Sequence, residues 1–501
     1  MATIVRHGPG SSHSFEDRRS LEKSSQDNQF DYTAPDALPE PDPRALKWAI
    51  LKLDMIFLPA VTMVYFLSFL DRSNIGNAKP AGLMEDLKLT NHQYSIALTV
   101  TYVPYIVAEL PLTLLIRKVG PNILLPVLMI CWGLVTTFQG FVHNYAGLLA
   151  ARFFLGAAEG AILPCCMTYL STFYRRQDLA KRTAFLFCAT SLAGAFSGLL
   201  AAAIVQMEGL GGKRGWAWIF IIEGAFTVVY GAVSFFLLPR DPSSVFYLRT
   251  DQTQALLAAL DRDRPPAENH EQLKASSVLG ALTAPQVWLV GAQLFASGTA
   301  LFSMAYFSPT IVQGLGYKGT AIQLYSVPPY AVSAVLSLFV CFWSDKTRHR
   351  GGFVIFSAVL QLIGYALYLS FKDKHVRYCS LFFQVMGAYV SAPLLSTWMP
   401  NNLAPFYRRV TGIVWGFIVT NCGGILSTWL FPTTEAPDYR KATSILLGLS
   451  CSMMVMACLN MAYLGAMNKR RKQRGGFDLA NGAMDDAATL GDRSVHYKYI
   501  L

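Results

Sequence analysis

Apolar residues fall along this chain in runs long enough to cross a bilayer, with short polar breaks between them. A helical crossing needs roughly 20 apolar residues to span about 30 Å of hydrocarbon. About twelve runs meet that length. They lie near 50–70, 93–116, 121–141, 145–173, 182–205, 216–238, 286–308, 322–343, 353–371, 377–399, 410–431 and 442–466. The longest polar interval, about 239–284, follows the sixth run and holds Arg240, Asp241, Asp251, Asp261, Arg262, Asp263 and Arg264. The pattern predicts an all-α membrane protein with twelve transmembrane helices in two pseudo-symmetric six-helix bundles, at 48–238 and 285–466. A cytoplasmic linker at 239–284 joins them. Residues 1–47 read as a disordered cytoplasmic tail and 467–501 as a second cytoplasmic tail.

Composition supports that reading. Of 501 residues, 53% are hydrophobic and only 15% charged, against about 25% charged in ordinary globular proteins. A soluble surface of this size could not be covered with so few charges. The net charge of +11 sits in short basic clusters between apolar runs, which fits membrane topology and not nucleic-acid binding. The N-terminal segment is rich in Ser, Pro, Asp and Glu and has no apolar core of a signal peptide. Cysteines lie mostly in apolar runs and read as small buried hydrophobes. No Cys-x-x-Cys pair suggests a metal, no Walker A motif suggests ATP hydrolysis, and no catalytic triad is recognisable. Neither a cofactor nor an enzyme activity is expected.

Basic residues set the orientation. With the N-terminus inside, the inner loops carry Arg117 and Lys118, then Arg175, Arg176, Lys181 and Arg182. Lys346, Arg348 and Arg350 follow, then Arg408 and Arg409, then the Lys469–Arg474 cluster. The loop with Lys372, Lys374 and Arg377 runs against the rule. Both termini are expected in the cytoplasm.

A charge deep in a span costs about 2.5–3.5 kcal/mol on insertion scales and calls for a reason. Asp71 and Arg72 end the first run, beside Ser73, Asn74 and Asn77. An interfacial helix end with a snorkelling Arg is one reading; a polar cavity lining is the other. Arg152 and Glu159 lie in the fourth run, about two helical turns apart and so on nearly the same side. A fixed interhelical ion pair is the plain reading there; proton coupling is the functional one. An anion that takes the Arg leaves the carboxylate without its partner and ready for a proton. Binding of each then favours the other. Tyr102, Tyr306, Trp398, Asn402 and Asn421 are further polar or aromatic candidates for substrate contact. Each alone is more often an interhelical hydrogen bond or an interface anchor. Gly156 and Gly160 form a small-xxx-small pair suited to close helix approach.

Six plus six spans with a central linker resemble the major facilitator superfamily. The loop Trp343-Ser344-Asp345-Lys346-Thr347-Arg348-His349-Arg350 resembles the superfamily's Asp-[Arg/Lys]-x-x-Arg loop, which implies a gate at Asp345 and Arg348. In the first half Arg117 stands where that loop usually has Asp. Several runs are similar to the anion:cation symporter family, in its fungal allantoate-permease-like branch. These are Phe69-Leu70-Asp71-Arg72-Ser73-Asn74-Ile75-Gly76-Asn77-Ala78, Arg152-Phe153-Phe154-Leu155-Gly156, Leu315-Gly316-Tyr317-Lys318-Gly319-Thr320, Tyr325 through Val332, and Asn401-Asn402. The resemblance covers about 48–466. It implies a proton site at Asp71, a substrate-anion site at Arg72, and coupling through Arg152 and Glu159. It also implies a carboxylate substrate such as nicotinate, pantothenate, biotin or allantoate, and residence at the fungal plasma membrane. After Asn402 the branch commonly has a Gly-His/Tyr-Thr-Lys-Arg run, where this chain has Ala404-Pro405-Phe406-Tyr407-Arg408-Arg409.

The expectation is a monomeric symporter of protons and a small organic anion, working by alternating access. Its proton-coupling residues are Asp71 and Glu159; its substrate residues are Arg72, Arg152, Asn74, Tyr102, Tyr306, Trp398, Asn402 and Asn421. A proton-antiport exporter is the alternative, weakened because Gly194 through Leu199 lacks the Gly-Pro signature of such antiporters. A non-transporting nutrient sensor ranks lower, because the tails are short.

Overall fold

The structure is a computed structural model that describes residues 42–263, 275–404, 406–473, 492 and 497–501. Most of the expected N-terminal tail, the middle of the linker at 264–274, and 474–491 and 493–496 of the C-terminal tail lie outside the described residues. So do Pro405 and the side chains of Arg117 and Phe406.

Among the described residues, twelve helices are long and apolar enough to cross a membrane. The first six are α1 (Pro43–Asp86), α2 (Asn91–Val119), α3 (Pro121–Gln139), α4 (Tyr145–Phe173), α5 (Arg176–Ile204) and α6 (Gly215–Leu237). Two shorter helices follow in the linker, α7 (Thr250–Asp263) and α8 (Ala275–Leu282). The last six are α9 (Pro285–Gly314), α10 (Thr320–Thr347), α11 (Gly351–Ser370), α12 (Lys374–Asn401), α13 (Phe406–Ser427) and α14 (Arg440–Gln473). In hydrocarbon a helix satisfies its own backbone, so these apolar runs have no other ordered form as single segments. Large apolar side chains such as Phe154, Val335 and Phe236 point outward, where lipid covers them.

Polar residues place the ends. Thr90 accepts from the Gln93 backbone N–H at 3.2 Å while the Gln93 side chain accepts from the Thr90 N–H at 3.0 Å, a reciprocal cap on α2. Asn144 caps α4 and Asp373 caps α12 in the usual way.

Within the first half, α3 packs along α6, α2 along α4, and α1 along α5. In the second half α11 packs along α12, and α9 along α13. The halves meet chiefly where α5 crosses α10, and also where α1 meets α9 and α2 meets α13. Glycines permit two of these approaches. A Cβ on Gly194 would sit 2.6 Å from the Tyr330 ring of α10. One on Gly156 would overlap the Thr101 carbonyl of α2, so that small-xxx-small pair holds α4 against α2. Linker helix α7 lies against the start of α1, and the Lys52 ammonium donates to the Tyr247 carbonyl at 2.9 Å.

The first helix departs most from the sequence expectation. It does not end near residue 70 but runs on to Asp86, a helix of 44 residues. Asp71, Asn74 and Asn77 are buried among neighbouring helices, so their polarity marks the interior of the bundle and not its edge. Two π-helical turns, Leu53–Phe57 and Lys79–Leu83, let this long helix curve; Gly82 takes φ 96° in the second.

Candidate functional site

The charged residues of the first half converge in its interior. Arg72 of α1 reaches Glu159 of α4, with Nη2 3.1 Å from Oε1. The Ser68 hydroxyl donates to the same oxygen at 2.5 Å. Glu159 is fully buried and its second oxygen, Oε2, has no hydrogen-bond partner among the described residues. The Arg72 guanidinium stacks over the Tyr105 ring at 4.7 Å and faces Phe302 of the second half at 5.4 Å. Its Nε is likewise unpartnered among the described residues. The pair is therefore held firmly on one side and under-satisfied on the other.

Asp71, the next residue along α1, points the opposite way. Its Oδ2 accepts from Trp132 Nε1 of α3 at 3.0 Å and from the Thr227 hydroxyl of α6 at 3.1 Å. Asn74 donates to its other oxygen at 3.4 Å. Successive helical residues diverge by about 100°, which follows from 3.6 residues per turn, so Asp71 and Arg72 cannot share one face. Arg152 is buried beside Phe220, 5.7 Å from its ring centre. It makes no ion pair within 4.0 Å among the described residues, and its Nε and Nη2 are unpartnered there.

A cavity of about 60 Å³ lies between the halves, with Arg72, Ser68 and Tyr65 of α1 on its wall. Tyr105 and Glu109 of α2, Phe302 of α9, Ser396 of α12, and Thr420 and Asn421 of α13 are among its other polar and aromatic lining residues. A drug-sized ligand needs roughly 300 Å³ or more, so a substrate enters only as the halves move apart. At the cavity's end toward the start of α2, the halves are joined. Tyr102 and Tyr306 share a hydrogen bond of 2.8 Å, and Thr99 and Thr428 one of 2.7 Å. Asn91 accepts from the Thr433 hydroxyl at 2.7 Å. A larger space of about 580 Å³ between α1, α5, α6 and α10 has nearly all-apolar walls and offers nothing to hold an anion.

The remaining sequence candidates fall elsewhere. Trp398 and Asn402 lie at the end of the second half where α14 finishes, clasping the last residues of the chain. Trp398 Nε1 and Asn402 Nδ2 both donate to the Ile500 carbonyl at 2.9 Å, and Ile500 N–H returns a bond to Asn402 Oδ1 at 2.8 Å. Asn468 exchanges two bonds of 2.9 Å with Tyr499, and Arg471 donates to the Tyr497 carbonyl at 2.6 Å. Asp345 pairs with Arg350 at 2.5 Å, while Arg348 caps α10 in a left-handed conformation and is exposed. Two buried carboxylates, Glu109 and Glu223, were not singled out from the sequence. Both lie inside apolar runs, so the rule that exposed Glu159 would also have found them.

Residues 61–428 match the Major Facilitator Superfamily. The chain belongs to that superfamily. An uncharacterized transporter of Schizosaccharomyces pombe is 36% identical over 456 residues, 90% of each chain. A high-affinity nicotinic acid transporter of Saccharomyces cerevisiae is 28% identical over 440 residues, 88% of this chain and 82% of its own. A major facilitator-type transporter of Emericella nidulans is 31% identical over 475 residues, 92% of this chain and 94% of its own. Among solved structures, a bacterial homolog of the human lysosomal transporter Spinster, inward-facing and unoccupied, superposes with a TM-score of 0.63 over 84% of this chain and 97% of its own, at 14% identity. A proton:xylose symporter superposes at 0.62 over 81% of this chain and 95% of its own, also at 14% identity. At that identity these two structures speak to the fold alone. The superfamily chain is thus a membrane transporter with two six-helix halves around a central cavity.

Proposed function

We propose that this transporter is a proton-coupled symporter of a small organic anion, in the allantoate-permease-like branch of the anion:cation symporters. The observation that carries the reading is the Arg72–Glu159 pair, of which Arg72 lines the cavity and Glu159 lies buried behind it. An anion entering the cavity meets a guanidinium that is already bonded to a carboxylate. Taking that guanidinium releases Glu159, and a proton on Glu159 frees the guanidinium for the anion. The two ligands therefore assist each other, as linkage requires.

Asp71 is the second proton site in this reading, reached through Trp132, Thr227 and Asn74 and not from the cavity wall. Arg152, buried near both carboxylates, is the cation that balances them when neither holds a proton. Tyr102 and Tyr306 form the closed gate on one side, and Asn421 contributes to substrate contact from the second half. Arg182, Arg350, Arg408 and Lys469 lie at the end where α1 begins and α14 finishes, which supports placing that end in the cytoplasm. The plasma membrane is the proposed location and a single chain the working unit. The named substrate of the nicotinic acid transporter relative favours a carboxylate.

Uptake of labelled carboxylates into cells expressing the protein, with and without a proton uncoupler, tests the proposal. Accumulation that collapses with the uncoupler and in Asp71→Asn or Glu159→Gln supports it. Extrusion in place of uptake, or accumulation indifferent to the uncoupler, refutes it.

A further inference from the structure

Glu109 is a buried carboxylate that the coupling scheme above does not use. It lies on α2 one turn beyond Tyr105 and is only 2% exposed. Both its oxygens lack a hydrogen-bond partner among the described residues, and no Lys, Arg or His there comes within 4.0 Å of it. It nevertheless lines the cavity that holds Arg72. A carboxylate so placed, with donors neither from its own helix nor from its neighbours, is expensive unless something fills the gap. Glu223, whose two oxygens also lack a partner among the described residues, does not share this setting, because it borders the apolar space between α1, α5, α6 and α10.

Resting on the anion-site reading above, we propose that Glu109 is the second pole of the substrate site. It receives a cationic or N–H-donating group of the same molecule whose carboxylate Arg72 takes. The substrate class is then a small zwitterion or donor-bearing carboxylate, not a simple anion. Geometry sets its length. The Arg72 guanidinium sits over the Tyr105 ring at 4.7 Å, and Glu109 begins four residues, ~6 Å of helix rise, further on. A ring such as benzene or pyridine bridges that gap, and Tyr105 and Phe302 supply aromatic walls to receive it.

The test uses the full-length protein in proteoliposomes and two ring carboxylates of matched shape. Benzoate carries the anion alone; 3-(ammoniomethyl)benzoate adds a fixed cation about one helical turn away. Wild type should bind the zwitterion at least ~10-fold more tightly, the scale of one charge-assisted bond. Glu109→Gln should abolish the advantage of the zwitterion over benzoate. Glu109→Lys should reverse the preference, favouring the dicarboxylate isophthalate. Wild type that prefers benzoate overturns the proposal with no variant needed. So does a Glu109→Gln protein that weakens both probes alike or loses only its pH dependence, since Glu109 would then be a proton site. Arg72→Gln separates the two readings: if benzoate binding survives it, the anion site itself fails; if benzoate binding is lost and the Glu109 arms show no selectivity, only the second pole fails.

Discussion

Replacing Glu159 by Gln mimics its protonated form and tests the coupling most directly. In the structure Oε1 takes the Ser68 hydroxyl at 2.5 Å and Arg72 Nη2 at 3.1 Å. Glutamine keeps an oxygen for Ser68 and removes the charge that competes for Arg72. Unit charges about 4 Å apart at an effective dielectric of 20 interact by ~4 kcal/mol. The share that an incoming carboxylate recovers is that of a charge-assisted hydrogen bond, ~1.5–3 kcal/mol. Binding should therefore tighten by roughly 10- to 150-fold. The sign follows from linkage: in the proposed scheme the anion and a proton each favour the other's binding, and the Gln variant is fixed in the state that favours the anion. Equilibrium binding of the transported carboxylate to purified protein at two pH values reads the affinity. Counterflow in proteoliposomes should persist, and uphill accumulation driven by a proton gradient should vanish. A Gln variant whose affinity follows pH as wild type does would refute the coupling of Arg72 to Glu159.

Three further outcomes are expected. Tyr102→Phe removes the hydroxyl bond to Tyr306 across the gate, about 1 kcal/mol. A cysteine in place of Thr99 should then react ~5-fold more with a water-soluble reagent, and an unaltered rate would show that the gate does not rest on that bond. Gly156→Leu forces a side chain into the Thr101 carbonyl of α2; overpacking costs ~1–3 kcal/mol or more, so the melting temperature in detergent should drop, whereas Leu there without effect would mean α2 and α4 are not in contact. Deleting residues 497–501 strips partners from Asn402, Asn468 and Arg471; amide hydrogens near the end of α14 should exchange faster and the melting temperature should fall, and unchanged exchange would show the clasp is not populated.

How much could be read from the chain varies by residue, for a physical reason in each case. The twelve spans were visible because hydrocarbon thickness imposes a run length that no local folding can evade. Asp71, Arg72, Arg152 and Glu159 stood out because a charge in such a run is costly wherever it points. Glu109 and Glu223 obey the same rule and were equally open to it. Helix rotation, by contrast, leaves no trace in a run that is apolar on every side. It selects Glu159 as the partner of Arg72 and turns Asp71 toward Trp132 and Thr227. The left-handed turn at Arg348, φ 55°, hands Asp345 to Arg350. Trp398 and Asn402 resembled cavity residues in one dimension, yet they hold Ile500, about a hundred positions away. Apolar run length and the presence of buried charge are properties of each segment in its solvent, and the chain states them outright. Which charge meets which depends on how the helices rotate and close against one another, and that belongs to the packed bundle alone.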